Sequence, residues 1–486
     1  MAQFYPLLSF LPILLLLIIS ILRGVKIGVY ASLVVSALLF FLSGSSGLTF
    51  LASAFSAFIG TVNIMMIIFG AVLLYHVMEQ KQYIAQIRDS LNTIHPEKNF
   101  RFYFLAFFLT AFFEGVAGFG TPGAIVPLLL IAMGYSAVLS ISVVLLIDGF
   151  FAISGAVGTP VIAGLELPLQ LSADTVGLVY FYATLATLIS GIFVVAFIQR
   201  YLEKESGEQT GLTCWVLYAA IIIPFAGMAY WLKELTGIIS ALFLALFAYL
   251  FLFRNRQINL KPWAPYGLLV GLLLLPKLFP AFGNLLTYNI QFTEIYDTGV
   301  SASLQPFRSP LIPFIAAAAF ALYRVNDYKI DLKPVVNKSL AVFLVLFPSL
   351  VITQLLMNSG GAAYPSMIDA IAGVFVQTGK AYPLFSPLIG VTGSFITGST
   401  TVSNIIFGPV QYNAAQSLGL PPAIILGLQL AGGSLGNAVC LFNIIAAAAV
   451  AGIKDYNAIL KKNLLPVVLA SLAIAGVGYG LLYVTL

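Results

Sequence analysis

A glutamate stands within a strongly apolar stretch of this sequence, FFEGVAGFGTPGAIVPLLL, which runs from residue 112 to residue 130. Glu114 is followed within eight residues by three glycines, Thr121 and Pro122. A carboxyl group at membrane depth is costly and therefore points to a function. Proline favours the first position of a helix, so the Gly-Thr-Pro sequence predicts a helix end followed by a new helix. The stretch therefore predicts a carboxyl group next to a break in a membrane helix.

Three further clusters of small and hydroxylated residues occur along the chain. SGAVGTPVIAG follows the first cluster by about forty residues, TGSTTVSN lies in the second half of the chain, and AGGSLGNAVC follows it by about forty residues. One such cluster in a membrane helix commonly serves close packing alone. Two matched pairs indicate instead the interrupted segments that form a transporter's binding site.

The interruptions offer groups that bind anions. The N-terminus of a half-helix carries a partial positive charge and free N–H donors, and Thr and Ser add hydroxyl donors. Residues 102–199 contain no Lys, Arg or His, and residues 381–453 contain no charged residue. Helix ends and hydroxyls would therefore bind the ligand, which favours a small monovalent anion. The predicted substrate-binding residues are Gly118, Gly120, Thr121, Gly158, Thr159, Thr397, Gly398, Ser399, Thr400, Ser403 and Asn404.

Two carboxyl groups in this region are candidates for proton coupling. Glu114 and Asp148 lie in apolar segments and have no basic neighbour in those segments. Burial without a basic partner favours the protonated form of a carboxyl group. An acid that gains and loses a proton during transport would couple the two fluxes, whereas a permanently protonated acid would only cap the backbone. The sequence leaves both interpretations open.

The composition indicates that the whole chain lies in a membrane. Of 486 residues, 60% are hydrophobic and 8% are charged, whereas soluble proteins carry about 25% charged residues. Apolar runs of about twenty residues recur, which fit a hydrocarbon core of about 30 Å when helical. They lack the alternation of a barrel strand. We predict an all-α polytopic membrane protein with about 12 to 14 hydrophobic helical elements, including broken helices and re-entrant hairpins, in two inverted-repeat halves.

The predicted halves are residues 1–253, with a hairpin near 102–133, and residues 254–486, with a hairpin near 384–413. Basic residues cluster in short polar segments, which the positive-inside rule places in the cytoplasm. Both termini and the loop at 280–309 are then external. The basic segments are Arg23/Lys26, Lys81–Arg101, Arg254/Arg256/Lys261, Arg324–Lys338 and Lys454/Lys461/Lys462.

Several classes of protein are disfavoured by the sequence. Cys214 and Cys440 both lie in apolar segments, and His76 and His95 are dispersed, so neither a disulfide framework nor a metal site is expected. The net charge of +5 does not indicate nucleic-acid binding. The start, MAQFYP, lacks the basic region of a signal peptide. No nucleophile–base set is evident, so we predict neither an enzyme nor a cofactor. The amides of Gln429, Asn437 and Asn443 are expected to bond between helices.

The motifs together resemble those of the lactate permease family. That family pairs EGxAGFGxPxAI and GAVGTPV in its first half with GxFxTGSxxxSNxxFGxxQ in its second. This chain carries EGVAGFGTPGAI, GAVGTPV and GSFITGSTTVSNIIFGPVQ in the same order. It differs at Thr400, where relatives commonly carry an aspartate.

The resemblance implies a proton-coupled carrier of L-lactate, D-lactate and glycolate in the plasma membrane, which is the inner membrane in some bacteria. It also implies interleaved scaffold and transport subdomains that move by an elevator-like step. The implied partners are the monocarboxylate, protons and membrane lipid. Two alternatives remain open from the residues: a sodium-coupled or broader organic-anion carrier, and an anion channel.

Overall fold

The computed structural model describes residues 5–91, 94–118, 120–255, 257–279, 288–307, 309–361, 364–451, 453 and 455–485. Within these ranges the chain is almost entirely helical. The helices of the first half are α1 Tyr5–Ser9, α2 Leu11–Arg23, α3 Val25–Leu42, α4 Gly47–Gln80, α5 Tyr83–Leu91, α6 Lys98–Val116, α7 Thr121–Ala132, α8 Ala137–Phe151, α9 Gly155–Val161, α10 Leu167–Leu169, α11 Ala173–Ser206, α12 Thr213–Leu232 and α13 Thr236–Phe251.

The second half continues the helical pattern and adds one small hairpin, in which β1 Ile290–Phe292 pairs antiparallel with β2 Ala302–Leu304. Its helices are α14 Ala264–Leu278, α15 Leu311–Val325, α16 Lys333–Asn358, α17 Met367–Val376, α18 Tyr382–Thr397, α19 Thr400–Ser417, α20 Pro422–Gly436, α21 Leu441–Val450 and α22 Tyr456–Thr485.

Seven helical stretches of the described residues are long and apolar enough to cross a membrane. The stretch Thr213–Phe251 has 39 residues, which exceeds the length that one crossing needs, and it turns at Lys233 so that α12 and α13 pack against each other. The shorter apolar helices include Thr121–Ala132 and Leu311–Val325. The prediction of an all-α polytopic membrane protein with broken helices is therefore confirmed.

Serine side chains fix where several helices begin. Ser46, Ser136 and Ser172 each accept a hydrogen bond from the backbone N–H three residues ahead, at the starts of α4, α8 and α11. This bond satisfies one of the donors that the first turn of a helix leaves free. Ser399 does the same for α19, immediately after the glycine that ends α18.

The described residues form two hydrophobic clusters. The smaller one joins side chains of α2, α3, α4, α16, α17 and α19, and the larger one joins α6, α8, α11, α12, α13, α20 and α22. Leucines on the outer faces of α2 and α3, such as Leu22 and Leu38, are exposed. A membrane protein exposes such side chains to lipid, whereas a soluble protein seldom exposes a large apolar patch.

Two pairs of helix arms pack along each other where hairpins were predicted. Helix α6 contacts α7, and α18 contacts α19. Each pair is joined at a break rather than by a long loop, since α6 ends at Val116 before α7 begins at Thr121. The division into halves, their inverted relation and the re-entry of the hairpins into the membrane remain predictions.

Contacts place three basic segments at one side of the molecule. Lys81 Nζ lies 2.5 Å from Asp327 Oδ2, and Arg324 donates to the carbonyl of Lys261 at 2.9 Å. The backbone N–H of Arg254 donates to the carbonyl of Ile94 at 3.1 Å. Parts of the predicted topology lie outside the described residues. They are the basic residues Arg256 and Lys454 and positions 280–287 of the loop predicted to be external.

We expect this basic side to be cytoplasmic and the β1–β2 hairpin to be external, because the positive-inside rule acts on short basic loops. A membrane-impermeant thiol reagent added outside cells should label Thr293→Cys and leave Lys329→Cys unlabelled. Both positions are exposed, and the native Cys214 and Cys440 are buried, so the background is low. Labelling of Lys329→Cys alone would invert this topology.

Candidate functional site

Each of the four predicted interruptions is a break in helical geometry. Gly118 and Gly120, between α6 and α7, have φ of +55° and +76°. Within α9 the left-handed conformation covers Ala156, Val157 and Gly158. Two of these carry a β-carbon, for which that conformation is uncommon and strained. Gly398, between α18 and α19, has φ of +72°, and α20 ends in a 3-10 turn at residues 437–439.

The four breaks contact one another in a chain. The break after α6 meets α9, because a β-carbon added to Gly118 would stand 3.0 Å from the backbone nitrogen of Ala156. Asn404 of α19 donates to the carbonyl of Pro160 in α9 at 3.0 Å. Asn437, at the end of α20, donates to Thr400 Oγ1 at 3.0 Å. The clusters that the sequence marked separately therefore surround one region of the fold.

A pair of buried carboxyl groups lies beside these breaks. The side chains of Glu114 on α6 and Asp148 on α8 lie beside each other where the two helices pack together, and only 6% and 7% of the two residues are exposed. Asp148 Oδ1 has no hydrogen-bond partner among the described residues. Two adjacent buried carboxyl groups cannot both stay ionised, so the pair should hold at least one proton.

The carboxyl pair touches the α9 break directly. A β-carbon on Gly155 would overlap Glu114 Oε1 and stand 3.1 Å from Glu114 Cδ. Gly155 thus leaves the space that the glutamate head group fills. A change in the charge of the pair would act immediately on the backbone that begins the break.

Most hydroxyl groups among the predicted substrate-binding residues bond to nearby backbone. In this conformation these bonds fix the hydroxyl groups against backbone at and near the breaks. Thr121 is also buried. The bonds run from Thr159 Oγ1 to Ala156 O (2.7 Å), Thr397 Oγ1 to Gly393 O (2.8 Å), Val402 N to Ser399 Oγ (3.3 Å), Thr400 Oγ1 to Gly433 O (3.2 Å) and Ser403 Oγ to Gly390 O (3.0 Å).

A network of buried amides supports this region. Gln429 of α20 donates to Ser403 Oγ at 3.1 Å and to Asn404 Oδ1 at 3.3 Å, and it accepts a hydrogen bond from Gln411. Tyr382 in turn donates to Gln411 Oε1 at 3.2 Å. The interhelical role expected for Gln429 and Asn437 is confirmed. Asn443 donates to the carbonyl of Asn437 at 3.3 Å. The sequence analysis did not identify Tyr382 or the position of Gln411 in the network.

Replacing Gln429 with alanine should destabilise the folded protein by roughly 2–4 kcal/mol, because it leaves several buried polar groups without partners and opens a void. The midpoint of thermal unfolding in detergent measures this change. Gln416→Ala is the matched control, since Gln416 is exposed on α19. Equal midpoints for the two variants would show that the network does not support the fold.

Two cavities lie near α9, and the first borders its break. One, of about 410 Å³, is lined in part by Val157 and Tyr180. The other, of about 540 Å³, is lined in part by Asn358. Asn63 and Glu166 line both cavities. Among the described residues, neither lining includes Thr121, Thr159 or Thr400, so their role in binding the substrate remains a prediction.

Glu166 is a buried acid that the sequence analysis did not select. It ends a π-helical turn at residues 162–166 and is 9% exposed. Single π-turns within helices are frequent at functional sites. In the sequence it stands within GLELPLQ, which has the composition of the polar end of a membrane segment. The sequence therefore gives no signal that this acid is buried.

The fold is that of a multi-pass membrane protein, and breaks that meet within its helices are typical of transporters. The sequence profile described as L-lactate permease matches residues 5–485. The chain therefore belongs to the L-lactate permease family, as the motifs predicted.

Named relatives align over most of both chains. A putative L-lactate permease of Haemophilus influenzae is 27% identical over 87% of this chain and 87% of its own length. An L-lactate permease of Streptococcus iniae is 30% identical over 86% and 93%. A glycolate permease of Escherichia coli is 23% identical over 83% and 82%.

Proposed function

We propose that this chain is a secondary active transporter that imports small 2-hydroxy monocarboxylates, namely L-lactate, D-lactate and glycolate, together with protons across the plasma membrane. The names of its relatives support the substrate class. The observation that carries the proposal is the buried carboxyl pair Glu114–Asp148 beside the meeting breaks. Proton coupling needs a titratable group that responds to the bound substrate, and we assign this role to the pair.

The sign of the coupling follows from the charge of the pair. When the pair holds an additional proton it is neutral, and the helix ends at the breaks remain available to a carboxylate. Loss of that proton puts a negative charge beside the bound anion and favours its release. Proton and anion binding are then positively linked. An external medium that is more acidic than the interior therefore drives both the proton and the anion inward.

The proposed substrate site comprises the backbone N–H groups and hydroxyls at the breaks, with Gly118, Gly120 and Thr121 on one side and Gly158 and Thr159 next to them. The second half contributes the residues predicted from its TGSTTVSN motif. The lack of Lys, Arg and His in residues 102–199 favours a single negative charge on the substrate. The second-half residues are Thr397, Gly398, Ser399, Thr400, Ser403 and Asn404.

Substrate transfer is proposed to occur by an elevator-like movement of a transport subdomain against a scaffold, with residues 1–253 and 254–486 contributing to both. Both hydrophobic clusters join helices from the two halves, which agrees with subdomains that each draw on both halves. The hairpins near 102–133 and 384–413 would belong to the moving part.

Uptake of labelled L-lactate into proteoliposomes tests the function. We expect accumulation when the outside is acidic and sodium is absent, beyond the leak into empty liposomes. Accumulation that follows a sodium gradient at equal pH would support the sodium-coupled alternative, which freed carbonyls at broken helices make chemically reasonable. Flux that neither saturates nor accumulates would indicate a channel.

A further inference from the structure

The larger cavity, of about 540 Å³, lies between the β1–β2 hairpin and the segment that follows the α9 break. Residues of the hairpin between positions 289 and 305 line one side of it. Residues between 163 and 171, which continue directly from α9, line another side, and α4 and α16 complete the wall. The cavity therefore separates an exposed hairpin from one of the broken helices.

Amide and hydroxyl groups supply most of the polar surface of this cavity. They include the side chains of Gln170, Asn289, Gln354 and Asn358. Such groups offer both donors and acceptors, so the cavity can hold water and a small hydrated solute. No Lys or Arg among the described residues lines it. Without a positive charge to hold an anion, the cavity suits the passage of the carried acid more than its tight binding.

Asn63 of α4 holds the hairpin with both ends of its amide. Its Nδ2 donates to the carbonyl of Ser303 at 2.8 Å, and its Oδ1 accepts from the backbone N–H of Gln305 at 2.9 Å. The two bonds resemble the pair that opposite residues exchange in an antiparallel sheet. Asn63 is buried in an apolar helix, where a polar side chain is costly and indicates a function.

Two further contacts attach the hairpin to the same helix. Ser56 Oγ donates to the carbonyl of Ser301 at 3.1 Å. The rings of Phe55 and Phe292 meet edge to face, with centroids 5.2 Å apart. Neutral hydrogen bonds are exchanged for bonds to water at little net cost, so this attachment can be released and formed again.

We propose that the cavity is the route by which the solute reaches the breaks from the side of the hairpin, and that the β1–β2 hairpin is a lid over this route, held on α4 by Asn63. The positive-inside rule predicts that this side is external. Alternating access requires each side of the substrate site to close in turn, and the hairpin would contribute to closure on this side. Such a lid acts on any solute that enters here, so its action goes beyond the choice of the carried acid.

The rate at which a cysteine inside the cavity reacts tests the lid. Gln354→Cys on α16 is the reporter, because Gln354 lines the cavity and is half-buried, whereas both native cysteines are buried. In this background we expect Asn63→Leu, which keeps the bulk of the side chain but removes both bonds, to accelerate labelling by an impermeant methanethiosulfonate outside cells at least fivefold. Thr61→Ala is the matched control, because Thr61 is buried in the same helix and its Oγ1 donates within that helix, to the carbonyl of Ala57 at 2.7 Å.

A reversible cross-link tests whether the lid must open for transport. Phe55→Cys and Phe292→Cys would be joined by a short bis-methanethiosulfonate, which takes the space of the two rings. Cross-linking should reduce the uptake of labelled L-lactate at least tenfold, and a reducing agent should restore it. Neither single variant should lose uptake after the same treatment.

An unchanged labelling rate in folded Asn63→Leu would show that the hairpin is not a lid, and so would full uptake by the cross-linked protein. If Asn63→Leu does not fold, the cross-link decides. A failure of the proposed function is distinguishable, because the wild type would then show no pH-driven lactate uptake, whereas the labelling rates require no transport.

Discussion

Replacing Glu114 with glutamine is expected to reduce pH-driven accumulation of lactate at least 100-fold while lactate exchange at equal pH continues. The amide keeps the shape of the carboxyl group and can still hydrogen-bond to Asp148, but it cannot titrate. A transporter that cannot exchange its proton can still carry the anion in both directions. It cannot use the pH gradient.

The contact between the two acids sharpens this prediction. If Glu114 and Asp148 bind the transported proton as one unit, Asp148→Asn should reduce pH-driven accumulation as much as Glu114→Gln does. The double variant should then be no worse than either single variant, because the effects of residues that act together do not add. The exposed residue Glu294 provides the control Glu294→Gln. If Glu114→Gln accumulates lactate as the wild type does, Glu114 has only a structural role, which is to fill the space beside Gly155.

Replacing Gly432 with alanine is expected to cost about 3 kcal/mol or more of stability and to remove most of the folded protein. Its β-carbon would overlap the carbonyl oxygen of Pro387 and stand 2.7 Å from the carbonyl carbon. Helices α18 and α20 approach closely here, and Gly390 and Gly436 face the opposite backbone in the same way. Backbone cannot move aside as a flexible side chain can, so overpacking is severe.

Size-exclusion chromatography and thermal unfolding in detergent measure this loss. Gly476→Ala on α22 is the matched control, because no atom lies within 4 Å of its added β-carbon. That substitution should leave stability unchanged or raise it by up to about 1 kcal/mol. Equal unfolding midpoints for the two variants would mean that α18 and α20 do not pack as closely as the structure describes.

The breaks were predictable because glycine, threonine and proline have strong local preferences. The sequence located the ends of α6 and α18 and the starts of α7 and α19 within a few residues. It did not predict left-handed geometry at Ala156 and Val157, because residues with a β-carbon rarely adopt it.

The pairing of Glu114 with Asp148 could not be predicted from the sequence, although both acids were selected. Their contact depends on how α6 packs against α8, and a single sequence does not specify that packing.

The central claim is that proton and monocarboxylate move together through a site beside Glu114 and Asp148. The most direct test adds L-lactate to de-energised, sodium-free proteoliposomes in weak buffer and records the external pH. Co-transport predicts that the medium becomes alkaline at once, in proportion to the labelled lactate taken up. The variant Glu114→Gln should show no such pH change, although it still exchanges lactate. Lactate uptake without any proton movement beyond that of empty liposomes would contradict the account.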